Sequence, residues 1–261
     1  MKSINVASVS YLNSYPFVFG LRNYKDAQGI FNLCLCKPAV CADVFSKNKA
    51  DIAIIPIAAL PYLNMSYSVI TKYCIGAVNS VATVMLYSHI KIEDVDKIIV
   101  DSDSLTSYNL IKILADNYWH IKPDIQQQKI TGKELFPKKT ALLAIGDKCF
   151  QMGQRYAYTY DLFDMWHNLT GLPFVFAVWV ANSKVDKKTL NLFEQALEYG
   201  INNKDLAVKL FIADNDIETD RKYFNYINQN ISYDFDAKKK EAKDLFLKFM
   251  SKNMNVEGRS L

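Results

Sequence analysis

Asp51-Ile52-Ala53-Ile54-Ile55-Pro56 enters from an acid, runs through four apolar residues and leaves through a proline. A run this short, without polar alternation, reads as a strand buried on both faces. That is the situation of strands in parallel sheets covered by helices. Ala141-Leu142-Leu143-Ala144-Ile145-Gly146-Asp147 repeats the pattern far downstream and stops as abruptly. In open α/β sheets, ligands sit beyond the carboxyl ends of such strands. Two such ends, widely separated in the chain, point to two sheets; one sheet with two ordinary strand ends is the alternative.

Working outward, Ile4–Val9, Leu33–Cys36, Val84–Tyr87, Ile98–Val100 and Phe174–Val180 also read as strands. Between and after them lie stripes at helical spacing. Leu105, Tyr108, Ile111, Leu114 and Tyr118 form one; Leu190, Phe193 and Leu197 form a second, with Gly200 as its stop signal. Ala242, Leu245, Phe246 and Phe249 form a third, opened by Asp236 as N-cap. Strands alternating with helices, then several helices toward the end, give an α/β protein. The tail after Asn253 reads as frayed.

The chain has 261 residues, 50% apolar and 22% charged, which excludes a disordered chain and allows a large core. No apolar run is long enough for a membrane span. Met1-Lys2-Ser3-Ile4-Asn5-Val6 lacks the apolar stretch of a signal peptide, so the expected location is the cytoplasm, without membrane contact. The net charge of +4 is dispersed; the one dense run, Lys238-Lys239-Lys240, reads as a solvated helix face, and no nucleic-acid partner is expected. Five cysteines stand at 34, 36, 41, 74 and 149 without a Cys-x-x-Cys. Cys34 and Cys36 share a strand face, but the three histidines are scattered. The cysteines therefore read as buried reduced thiols, with no metal site.

Five segments carry polar groups at places where sheets present ligands. Ser8-Val9-Ser10-Tyr11-Leu12-Asn13-Ser14 follows the first strand and offers Tyr11, Asn13 and Ser14. Asp101-Ser102-Asp103-Ser104-Leu105-Thr106-Ser107 leads into a helix, where amides and hydroxyls suit a carboxylate, although Ser104 or Asp103 can equally act as a plain cap. Asp101 and Asp103 would repel an anion unless they point away. Thr83 and Ser88 bracket an apolar strand, Ile145-Gly146-Asp147 ends another, and Asp161 through Trp179 reads as a short helix, a Gly-Pro turn and a buried strand. His167 reads as a helix-surface residue. No nucleophile elbow, zinc-protease motif, phosphate loop or dinucleotide fingerprint is present.

Taken in order, these segments resemble the chorismate dehydratase family of the futalosine route to menaquinone. The resemblance rests on Ser10-Tyr11-Leu12-Asn13 with Pro16, Asp51–Pro56, Val81-x-Thr83-Val84, Ser104-x-Thr106-Ser107, Ile145-Gly146-Asp147, and Trp166 through Gly171-Leu172-Pro173 to Trp179. It implies a two-lobed fold of the type II periplasmic-binding-protein kind, with a ligand cleft between the lobes. With crossovers near Ser88 and Val180, lobe one would be 1–88 plus 180–261 and lobe two 89–179. Two departures stand out. Leu105 replaces an arginine common in the family, and Thr83 replaces a serine, with Ser80 as a second candidate hydroxyl. The sister dihydroxynaphthoate synthase family carries a His-Glu pair where this chain has Gly146-Asp147.

The implied activity is a lyase reaction, removal of water from chorismate to give 3-[(1-carboxyvinyl)oxy]benzoate. Aromatisation drives it, so no cofactor is expected. Asn13 and Thr83 are the expected catalytic residues, acting by orientation. Tyr11, Ser104, Thr106, Ser107 and Asp147 are expected to bind substrate. The proton acceptor is either Asp147 or the substrate's own enolpyruvyl carboxylate, since an amide or lone hydroxyl is a poor base near neutral pH. A non-catalytic cytoplasmic binding protein for a small aromatic carboxylate is the alternative from another class.

Overall fold

Ile4–Val9 forms β1, and its inner residues Val6, Ala7 and Val9 are buried. A computed structural model of the chain describes residues 3–131, 136–152 and 155–256, with side chains to 252. The frayed tail expected after Asn253 falls mostly outside them; the last helix continues to Val256. The order continues α1 (Tyr15–Asn23), β2 (Phe31–Cys36), α2 (Pro38–Ser46), β3 (Ile52–Pro56), β4 (Ser68–Ala77) and β5 (Val84–Ser88). Then come β6 (Lys97–Asp101), α3 (Leu105–Leu114), β7 (Asp124–Gln128), β8 (Thr140–Ile145), β9 (Tyr158–Asp161), α4 (Leu162–Thr170) and β10 (Phe174–Ala181). The chain closes with α5 (Lys187–Asn202), α6 (Lys204–Asn215), α7 (Arg221–Asn225), β11 (Ser232–Asp234) and α8 (Ala237–Val256). No helix among the described residues is long and apolar enough to cross a membrane.

The strands form two sheets, ordered β11-β4-β10-β3-β1-β2 and β7-β6-β8-β5-β9. β3 and β8 are buried along their whole length, as their unbroken apolar runs require. The sheets are mixed rather than parallel. β3 pairs in parallel with β1 but antiparallel with β10; β8 pairs in parallel with β6 but antiparallel with β5. Burial on both faces thus identified interior strands without fixing their direction.

The chain divides into two compact units. One comprises the residues up to Gly76 with Val175–Asp236; the other comprises Ala77–Phe174 with the segment from Ala237. The expected boundaries need correction. β5 hydrogen-bonds into the second sheet from Val84 to Tyr87, so the first crossing precedes Ser88. Val175 already belongs to the first unit, and β10 pairs with β3 from Ala177 onward, so the second precedes Val180. α8 belongs to the second unit rather than to lobe one, and its Phe246 meets Trp166 and Phe174 edge-on at ring separations of 6.3 and 5.5 Å.

Two further expectations fail for reasons of packing. Gly200 does not stop α5, which runs on to Asn202. A side chain there would come within 1.7 Å of the Pro16 carbonyl, and one at Gly20 within 1.9 Å of the Ala196 carbonyl. These glycines let the backbones of α1 and α5 approach. In α8, Lys238 and Lys240 are exposed but Lys239 is fully buried. Lys239 falls on the stripe of Ala242, Phe246 and Met250, the inward face of the helix.

Candidate functional site

In the second unit, strand directions gather the candidate residues along one sheet edge. β6 and β8 are parallel and β5 is antiparallel to both β8 and β9. The carboxyl ends of β6, β8 and β9 and the amino end of β5 therefore face the same way. Asp101, Gly146-Asp147, Asp161 and Thr83 stand at those four ends. The Gly146 amide donates to the Thr83 carbonyl at 2.8 Å, joining two of the sequence-derived segments directly. Gly146 adopts φ +70°, which favours glycine at this turn. Asp147 follows it, half-buried, in a 3-10 turn.

Ser104 caps α3. Its Oγ accepts the Ser107 amide at 3.1 Å and donates to the Ser107 hydroxyl at 2.8 Å. Thr106 and Ser107 are buried in the first turn. The two serines thus cap and brace the helix start. The concern over Asp101 also resolves. Its carboxylate is fully buried, accepts the Asp103 amide at 3.1 Å and forms an ion pair with Lys148. Lys148 also donates to the Ile130 carbonyl at 2.9 Å. Lys148 is a charge that the sequence reading missed, since its partner lies 47 residues away.

Thr83 is buried at the start of β5. The alternative hydroxyl, Ser80, instead donates to Asp161 Oδ2 at 2.5 Å. The same oxygen accepts the Ala82 amide at 2.7 Å, while Oδ1 accepts the Phe163 amide at 2.9 Å and caps α4. Burial pushes the Asp161 carboxyl above its ordinary pKa, against the opposing pull of these three donors. In the sequence Asp161 marks only the start of a helix; in the structure it also anchors the segment before Thr83.

In the first unit, Tyr11 and Asn13 lie in the turn between β1 and α1. The Ser10 amide donates to the Cys36 carbonyl at 3.0 Å, tying that turn to the end of β2. Tyr233, buried on β11, donates its hydroxyl to the Asn13 carbonyl at 2.8 Å, which fixes the Asn13 backbone from 220 residues away. The Asn13 side-chain oxygen is itself buried and has no hydrogen-bond partner among the described residues. Ser14 instead binds back to the Val9 and Tyr11 carbonyls, so it braces the turn.

In the Trp166–Trp179 segment, the Trp179 ring nitrogen is buried without a hydrogen-bond partner among the described residues. Trp166 donates to the Pro173 carbonyl at 3.0 Å, and Gly171 closes α4 at φ +71°. His167 is exposed and stacks on Phe163, as a surface histidine. No group of three or more metal-ligating side chains occurs among the described residues.

A family model described as menaquinone biosynthesis matches residues 4–252. Among solved structures, the chain is similar to protein AF1704 of Archaeoglobus fulgidus at 13% identity and a TM-score of 0.73, covering 98% of each chain. The periplasmic aliphatic sulphonate binding protein SsuA of Escherichia coli is similar at 11% identity and a TM-score of 0.61, over 98% of this chain and 93% of that one. The Candida albicans protein CA3427, described as having the generic periplasmic binding protein fold, is similar at 12% identity and a TM-score of 0.58, over 98% and 95%. At these identities the likeness establishes the fold: mixed α/β with two sheets, of the periplasmic-binding-protein kind.

Proposed function

The chain belongs to the menaquinone biosynthesis family, and within it we propose that it is a chorismate dehydratase, a lyase that eliminates water from chorismate to give 3-[(1-carboxyvinyl)oxy]benzoate. The observation that carries this most is the buried, unpartnered amide oxygen of Asn13 in the turn between β1 and α1. Leaving such an atom unpaired costs about 1–3 kcal/mol, and a native exception of this kind needs a reason. A substrate hydroxyl supplies one.

Thr106 and Ser107, at the start of α3, hold a carboxylate with help from the helix dipole. Asn13 and Thr83 orient the leaving hydroxyl and the enolpyruvyl arm. The enolpyruvyl carboxylate takes the ring proton, hydroxide departs with a proton as water, and the ring becomes aromatic. The protein contributes positioning, which in ideal intramolecular cases amounts to about 7–11 kcal/mol. Asp147 is the rival proton acceptor. Its presence after Gly146, where the sister synthase family has a His-Glu pair, supports the dehydratase over the synthase.

Incubating the chain with chorismate tests the proposal. The expected result is a new aromatic absorbance and a product lighter by one water. Saturable binding without that product would favour a non-catalytic binding protein for a small aromatic carboxylate.

A further inference from the structure

We propose that Cys36 and Cys41 form a reversible dithiol–disulfide site that takes a two-electron oxidant of the peroxide class. This site is independent of the dehydratase chemistry. Cys36 ends β2 and Cys41 lies early in α2, joined through Lys37, with Pro38 opening the helix. Their sulfurs lie 3.1 Å apart. A disulfide brings them to about 2.05 Å, a small movement for two side chains already in contact. The expectation of uniformly buried thiols does not hold here: Cys34 is exposed, Cys36 is half-buried and Cys41 is buried.

The three thiols have different chemical roles. Cys41, and to a smaller extent Cys34, hydrogen-bond to the Cys36 sulfur, and this holds the Cys36 thiol below its ordinary pKa despite burial. The same pairing, with burial, pushes Cys41 upward. Cys36 is half-buried and Cys41 fully buried, so an oxidant reaches Cys36 first; Cys36 is the nucleophile and Cys41 the resolving thiol. Cys149 gives the contrast: it is buried and pushed up to about 12.

The chemistry balances with hydrogen peroxide as oxidant. The Cys36 thiolate attacks one peroxide oxygen, the O–O bond breaks, and the hydroxide released takes up the thiol proton as water. Cys36 is then a sulfenic acid. The Cys41 sulfur attacks the Cys36 sulfur, and the sulfenic hydroxyl leaves with the Cys41 proton as a second water. Two thiols and one peroxide give one disulfide and two waters. The new bond lies beside the Cys36 carbonyl that holds Ser10.

The test is to oxidise the full reduced chain with hydrogen peroxide, alkylate the remaining thiols and digest with trypsin. Pro38 protects the bond after Lys37, so all three cysteines stay on one peptide, residues 26–47. The expected product carries a single alkyl group, on Cys34, and lacks two hydrogens between Cys36 and Cys41. Dithiothreitol should restore three alkylation sites. Cys34→Ser should still form the bond, and Cys36→Ser should leave Cys41 open to alkylation after unfolding. Three alkylated cysteines after oxidation, a Cys34–Cys36 link, or a sulfinic acid on Cys36 beside an alkylated Cys41 would overturn the proposal.

Discussion

The Asp161 carboxylate accepts the Ala82 amide at 2.7 Å, and Ala82 sits at φ +59°. A non-glycine residue in that region is strained by about 1–2 kcal/mol. The carboxylate also takes the Ser80 hydroxyl. Asp161 therefore holds the strained backbone that leads directly into Thr83.

Asp161→Asn replaces one acceptor oxygen with a donor, so either the Ala82 or the Phe163 amide loses its partner. The expected destabilisation is about 1–3 kcal/mol. The pH dependence has a definite sign. Because burial raises the Asp161 carboxyl, the folded state binds the proton more readily, so this group's contribution to stability falls as pH rises from about 4 through the raised value. Subtracting the Asp161→Asn urea-unfolding free energies from those of the parent across pH 4–7 should show that decline. A flat or rising difference would contradict it.

Lys148→Met leaves the fully buried Asp101 without its cation. Removing one partner of such a pair is strongly destabilising, by about 3–5 kcal/mol, because a charge remains buried and unpaired. Adding Asp101→Asn should recover much of the loss. Denaturant titrations of both variants decide it; equal stability of parent and Lys148→Met would show that the pair does not hold the α3 start.

Thr106→Ala tests the proposed carboxylate contact. A hydroxyl hydrogen bond to a charged group is worth about 1.5–3 kcal/mol, so chorismate affinity should drop about tenfold or more. Calorimetric titration reads this directly, and unchanged affinity would remove Thr106 from the binding set.

Asn13→Asp and Asp147→Asn separate the two proton acceptors. If the substrate supplies its own base, Asn13→Asp puts a negative charge beside a dianionic substrate and activity collapses. Asp147→Asn keeps the shape and stays active. Steady-state rates are the readout. A dead Asp147→Asn beside an active Asn13→Asp would make Asp147 the base.

Gly200→Ala should destabilise far more than Gly171→Ala. The first drives a methyl to 1.7 Å from the Pro16 backbone, where no side chain can yield; the second meets nothing within 4 Å and has only its left-handed φ against it. About 1 kcal/mol is expected for Gly171→Ala, and several for the overpacked site. Comparable melting temperatures for the two variants would refute the close approach of α1 and α5.

The sequence by itself determined those interior strands whose full burial leaves an unbroken apolar run, as in Ile52–Ile55 and Ala141–Ile145; β4 is interior too, but exposed Ser68, Val69 and Lys72 interrupt its pattern and hide it. It also determined the strand-end segments, because Ser8–Ser14, Asp101–Ser107 and Gly146-Asp147 break those runs with polar groups at once. β7 escaped detection: Asp124–Gln128 is mostly exposed on a sheet edge and leaves no apolar alternation. Only the tertiary structure decided which isolated polar residues meet. Lys148 finds Asp101, Tyr233 finds the Asn13 carbonyl, and Asp161 finds Ser80 and Ala82, across 47 to 220 residues. A single side chain that pairs at long range has no period along the chain, and its partner is set by strand order and register. Gly200 carries the same lesson in reverse. Alone it reads as a helix stop, whereas its missing side chain makes room for the Pro16 carbonyl of a neighbouring helix, which no local pattern announces.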